Sequence, residues 1–115
     1  MSTHIPAIPG ANHMALSPTG MREGYDTGYP QTSATEIFSD GKTHVGIWEC
    51  TPGGWSIENR GDTETCSIIS GRGVITDADG TQHILVAGSV IVLPKGWSGR
   101  WDISETLRKL YIIVE

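Results

Sequence analysis

Glu58, Arg60, Glu64 and Cys66 are polar residues spaced closely enough along the chain to act together. Residues two apart on an extended strand share a face. Glu64 and Cys66 therefore point together, and so do Glu58 and Arg60. Two chemistries suit this set. A divalent transition metal needs about three donors at ~2.0–2.3 Å, and Glu58, Glu64 and Cys66 would form an unusual set of that kind. The other chemistry pairs both carboxylates with Arg60 through charge-assisted hydrogen bonds. An arginine beside the carboxylates disfavours a second cation, so the ion-pair reading is preferred. Catalytic candidates are Cys66 and Glu64. A thiol beside Arg60 could act as a nucleophile through a lowered pKa. Against this, no histidine base is visible nearby, and a strand cysteine is more often a small buried hydrophobe.

The four histidines add little. His4 and His13 sit in a proline-broken segment, and His83 follows an Asp79-Gly80 turn. His44 opens a strand, and its facing is not determined by the sequence. Together with Cys66 it stays open as a completing ligand of an atypical metal site. Tryptophan is more informative, with four in so short a chain. Trp97, Gly99 and Trp101 have strand spacing, and Trp48 shares a face with Cys50. These rings either fill a small core or line a ligand pocket.

The elements that must position these residues are strands. Residues 35–39, 43–51, 55–59, 64–70, 73–77, 82–86, 89–93, 99–103 and 106–114 read as short strands with glycine-rich turns between them. The apolar run VIVL at 90–93 suits a strand buried on both faces. No segment holds helical periodicity for three turns. Residues 104–110 are the only weak candidate, and they pass directly into a β-branched run. Short strands at regular spacing mean an all-β sandwich or barrel. The chain before residue 35 differs. Pro6, Pro9, Gly10, Pro18, Gly20, Gly24, Gly28 and Pro30 interrupt regular structure. The expectation is an extended arm over residues 1–34, with one short strand around 14–16, and a barrel over residues 35–115.

Particular spacings resemble a known superfamily. Glu64 is followed after six residues by Gly71, and Gly88 after five by Pro94, Lys95 and Gly96. With the segments WECTPGGW, ETCSIISGRGVIT and PKGWSGRWDISETLRKLYII, this resembles the small single-domain cupins related to ureidoglycine aminohydrolase and to the ethanolamine-utilisation cupin. The resemblance implies a jelly-roll barrel of two antiparallel sheets, with Glu64 and Cys66 pointing inward and Glu58 and Arg60 on an opposing inward face. It also implies that Trp97 and Trp101 line the cavity. The metal-binding histidines of that superfamily are missing. Their positions fall on Glu58 and Arg60, or on Ile57 and Asn59, and on Gly99. Only Glu64 remains of the usual four ligands, so no metal cofactor is expected.

Composition narrows the classes of function. The chain has 115 residues, a formal charge of −5, 37% hydrophobic and 18% charged residues, which suits one compact domain. No basic run suggests nucleic acid, and no apolar stretch nears the ~20 residues that span a bilayer. Without a signal pattern at the N-terminus, a cytoplasmic address is the default, and Cys50 and Cys66 are expected as thiols. The preferred function is a metal-independent pocket for a small polar or nitrogenous metabolite, built from Trp48, Glu58, Arg60, Glu64, Cys66, Trp97 and Trp101. The alternatives are a metal-dependent enzyme with an atypical site on Glu64, and a non-catalytic domain whose barrel is plugged. A homodimer is expected, because residues 110–114 are apolar on both faces and one face needs a cover, which an arm exchanged between subunits would supply; docking of the arm over that face of its own barrel is the alternative and would leave a monomer.

Overall fold

The structure is a computed structural model that describes residues 4–115. Its strands are β1 (Ser17–Met21), β2 (Tyr25–Gly28), β3 (Gln31–Ser39), β4 (Thr43–Cys50), β5 (Gly53–Ile57), β6 (Thr63–Asp77), β7 (Gln82–Leu85), β8 (Val90–Leu93) and β9 (Gly99–Val114). No helix occurs among the described residues, and hence none long and apolar enough to cross a membrane.

All pairings are antiparallel. One sheet runs β1, β3, β4, the second half of β9, the first half of β6, then β8. The other runs β2, β5, the first half of β9, the second half of β6, then β7. The long strands β6 and β9 belong to both sheets and curl them into the jelly-roll barrel. Sequence reading expects a turn at Gly71-Arg72 and a break near residue 105. The chain instead passes through both places without leaving the sheet. What the turn residues mark is a set of bulges, where the β6–β9 register shifts between Ile68 and Gly73. Bulges bend a strand while pairing continues on either side. Here they also change which residues face inward, from Glu64, Cys66 and Ile68 to Gly73 and Ile75.

The barrel interior holds Trp55, Cys66, Ile68, Ile75, Leu85, Leu93, Trp101, Ile103 and Leu107. The VIVL run does not match its expectation. β8 is an edge strand paired only with β6, and Val90 and Val92 face outward and are exposed. An antiparallel sheet leaves one face open to water where nothing packs on it, and the apolar run hid that asymmetry.

The N-terminal segment is more regular than its prolines and glycines suggest. The strand expected at 14–16 lies further on, at β1, and β2 follows it. They pair with β3 and β5 of the same chain. Before them, residues 6–11 lie along the outer face of Ile37, Phe38, Val45 and Leu110. Arg108 holds this stretch by donating from Nη1 to the carbonyls of Ala11 and Met14, each at 2.9 Å.

Gly71 has a φ of 92°, and a Cβ there would collide with the Thr106 carbonyl oxygen and Leu107 Cα. Gly80 has almost the same φ, 91°, but open space around it. The left-handed conformation alone costs a side chain ~1 kcal/mol. Gly80→Ala is therefore expected to lose that much in urea denaturation. Gly71→Ala adds a collision with backbone and should lose about 1–3 kcal/mol more. Equal losses would show that the bulge tolerates a side chain.

Candidate functional site

Strand register assembles the site. Trp48 on β4 lies opposite Lys109 on β9, and Trp55 on β5 lies opposite Trp101 on β9. Such cross-strand partners are close enough to touch. Glu64 on β6 faces the same interior. The result is a cavity of about 320 Å³ lined by Arg22, Ala34, Glu36, His44, Trp48, Trp55, Ile57, Arg60, Glu64, Trp101, Lys109, Tyr111 and Ile113.

The floor of the cavity is an ion pair. Lys109 Nζ donates to Glu64 Oε2 at 2.9 Å, and both residues are buried. The ammonium also sits 4.4 Å from the centroid of Trp48 and 4.5 Å from that of Trp101, within cation–π range. The other carboxylate oxygen, Oε1, lies 3.2 Å from Arg60 Nη2, which also reaches Asp62 at 3.0 Å. Burial works to raise the Glu64 carboxyl, but the Lys109 charge and hydrogen bond, with Arg60, outweigh it and hold the group below the usual carboxylate value. Burial works to lower Lys109, and Glu64 outweighs it to hold the ammonium above the usual lysine value. Both directions describe an ionised pair at neutral pH. The walls are aromatic. Trp55 and Trp101 stack, with centroids 6.0 Å apart and planes 12° apart, and Trp48 leans on both.

Of the residues expected from sequence, Trp48, Arg60, Glu64 and Trp101 line this cavity. Cys66 points inward beside Glu64 but is fully buried behind the lining. Burial pushes its thiol up to about 12, so the lowered pKa that a nucleophile needs is not what this environment provides. Glu58 does not converge with the others. Asn59 adopts a φ of 48°, which breaks the strand alternation, so Arg60 turns inward while Glu58 is exposed. Trp97 is also elsewhere. It precedes β9, so strand parity does not apply to it. Its Nε1 donates to Asp77 Oδ1 at 2.9 Å, and its ring lies over Gly99.

Sequence reasoning passed over Arg22, Trp55, Lys109 and Tyr111. Lys109 had a signal, because it shares the parity of Trp101, Ile103 and Leu107 along β9. Arg22 had none. It lies in the turn between β1 and β2, in a segment whose structure the sequence obscured. His44 sits at the mouth, bonded to Glu115 and to Ser39.

The metal of the superfamily does not fit these residues. Glu64, the one retained ligand, has both oxygens engaged by cations, and a lysine ammonium occupies the space beside it. Among the described residues no group of three or more His, Cys, Asp or Glu side chains could hold a metal ion.

The model of the EutQ-like cupin domain matches residues 39–111. The chain belongs to that family. It is similar in structure to the EutQ protein of Clostridium difficile, with a TM-score of 0.65 and 18% identity over 74% of this chain and 68% of that one. A protein of unknown function from Pseudomonas syringae pv. tomato gives a TM-score of 0.80 at 22% identity, covering 88% of this chain but 45% of that one. A DUF861 family protein from Thermotoga maritima is 32% identical over 56% of this chain and 73% of its own, with a TM-score of 0.53. No curated protein matches. The first two likenesses are of fold alone.

Removing one partner of a buried pair leaves an uncompensated charge and costs about 3–5 kcal/mol. Lys109→Met leaves Glu64 to Arg60 alone and is expected to destabilise the protein by about 3 kcal/mol, the lower end of that range, and adding Glu64→Gln should restore part of it. The wild-type pair also predicts a pH dependence. The Glu64 contribution is complete above its unfolded value near 4.5 and is lost as pH falls through the lower folded value. The Lys109 contribution is complete below 10.5 and is lost as pH rises through the higher folded value. Urea titrations from acid to alkaline pH check this; a Lys109→Met variant as stable as wild type at pH 7 would refute the pairing.

Proposed function

We propose that the chain binds a small polar metabolite, nitrogen-containing compounds included, in the barrel cavity without using a metal. The observation that carries this reading is the cavity itself, an open space walled by three tryptophans over a polar floor. Small-molecule sites combine an apolar wall with a few converging polar groups in this way. The open volume of about 320 Å³ speaks against the plugged-barrel alternative. The engaged oxygens of Glu64 speak against the atypical metal enzyme. A second hollow, lined by residues of the 6–11 stretch and the outer barrel face, is larger at about 510 Å³. It carries no charged group, which sets it apart from a site for a polar metabolite.

Two measurements on protein made without an affinity tag test the reading. Elemental analysis is expected to find Mn, Fe, Ni and Zn well below one per chain. A thermal-shift screen of small polar metabolites, followed by tryptophan quenching, is expected to find ligands. A stoichiometric metal, or a screen in which nothing shifts or quenches, would overturn it.

We further propose a homodimer. The outer apolar hollow supports it, because the 6–11 stretch covers that face incompletely and leaves Phe38 exposed. Light scattering at micromolar concentration is expected to give about twice the chain mass of 12.4 kDa. A mass near 12.4 kDa would reject the dimer.

A further inference from the structure

We infer that Arg22, brought to the barrel by the N-terminal segment, is the anion-binding residue of the cavity, and that the ligand is a small organic carboxylate whose body packs on the tryptophans. This rests on the pocket reading above and narrows it to one chemical class.

Charge accounting in the lining singles out Arg22. The cavity is lined by three residues that carry a full positive charge, Arg22, Arg60 and Lys109. Lys109 is bonded to Glu64, and Arg60 to Asp62 and Glu64. Among the described residues, Arg22 has no carboxylate within ion-pair distance. Its side chain donates one hydrogen bond, from Nη1 to the carbonyl of Glu23 at 2.6 Å. A guanidinium carries five N–H donors in a planar fork suited to carboxylate, so most of this fork is free. It is also partly desolvated, with Cζ 5.1 Å from the Trp55 centroid, and burial lowers its pKa. A cation withdrawn from water without a counter-ion is costly. An anionic ligand removes that cost.

The backbone fixes Arg22 for this task. Its N–H donates to the Pro30 carbonyl at 2.8 Å, and its own carbonyl accepts from Tyr25 N–H at 3.3 Å. Strands β1 and β2 on either side are sewn to the barrel. The segment before residue 35 is thus part of the cavity wall.

The same geometry argues against other ligand charges. A cationic ligand would seek an aromatic face, but Lys109 already occupies those of Trp48 and Trp101, and Arg22 that of Trp55. Of the lining carboxylates, Glu64 is shared by Lys109 and Arg60, and Glu36 lies 3.7 Å from His44. Phosphate sites commonly use helix N-termini or successive backbone N–H groups, and no helix occurs among the described residues. One unpaired guanidinium over an aromatic wall matches a monoanion with an apolar body.

The test compares three probes of nearly equal shape: 3-phenylpropionate, its neutral amide, and 3-phenylpropylamine. Each is titrated against wild type, Arg22→Gln and Arg22→Lys, with tryptophan quenching and calorimetry as readouts. The carboxylate is expected to bind wild type at least about tenfold more tightly than the amide, the increment of a charge-assisted hydrogen bond, and the amine more weakly still. Arg22→Gln should erase that preference with little change in melting temperature, and Arg22→Lys should retain part of it. The inference fails if the amide or amine matches the carboxylate on wild type, if Arg22→Gln keeps the preference, or if the carboxylate does not bind at millimolar concentration. Should Arg22→Gln not fold, Arg22→Lys decides: a carboxylate preference as large as that of wild type would overturn the assignment to Arg22. Neutral or amine ligands found by the metabolite screen would sink this inference and leave the pocket reading standing. A screen without any ligand would sink both.

Discussion

The interior of this barrel is organised around one ammonium. Lys109 lies in the core with Glu64 on one side and the faces of Trp48 and Trp101 on the others. Taking two charges out of water costs several kcal/mol per ion unless geometry and further hydrogen bonds compensate. The pair therefore demands that three strands be in register at once. β4 must bring Trp48 opposite Lys109, β9 must carry Trp101 on the same face, and β6 must place Glu64 within hydrogen-bond reach. A one-residue slip of β9 would turn Lys109 outward and set Leu110 against the carboxylate. An arrangement of this kind discriminates strongly between the right register and its neighbours, whatever its net contribution to stability.

The long strands make this possible. Because β6 and β9 pass through both sheets, one continuous backbone connects the ion pair to the stacked Trp55 and Trp101. The bulges near Gly71 let β6 change its inward face midway. Ahead of them Glu64 faces the ion pair, and beyond them Ile75 faces the apolar end. One barrel thereby holds the buried ion pair and the apolar core on the same two strands without a break in pairing. The N-terminal strands extend the sheets at β3 and β5 and deliver Arg22 to the open side.

Much of the fold was legible because its cues are local. Turn glycines, period-two alternation and the Glu64–Gly71 and Gly88–Pro94 spacings all point to the same jelly roll. The failures came where a local cue has two structural meanings. Gly71-Arg72 reads as a turn but is a bulge, and VIVL reads as a core strand but is an edge. In the site, Glu64, Arg60, Trp48 and Trp101 could be found from spacing and resemblance. Glu58 was misplaced because parity assumes unbroken strand, and Asn59 breaks it with a left-handed backbone. Trp97 was misplaced because it lies before the strand whose parity was applied to it. Lys109 was overlooked for a chemical reason. Lysine is almost never fully buried unless paired, so strand parity with Trp101 does not by itself place Lys109 inside. Only the position of its partner across the barrel reverses that judgement, and sequence spacing does not show it.

The protonation states limit what the site can do. Nucleophilic catalysis by a cysteine requires the thiolate, and by a lysine the neutral amine. Cys66 is pushed up to about 12 by burial, and Lys109 is held as ammonium by the same carboxylate that keeps it in the core. Glu64 is held ionised, with both oxygens facing cations, so it is a poor proton donor and a poorly available base. Glu64 and Lys109 thus present fixed charge to the cavity. Arg60 and Lys109 are held in place by their carboxylates, and among the described residues Arg22 has no carboxylate within ion-pair distance. Preorganised charge inside a pocket walled by tryptophan favours an anion before any bond is made or broken. The ion pair that fixes the register of the barrel thus also fixes the electrostatic character of its cavity.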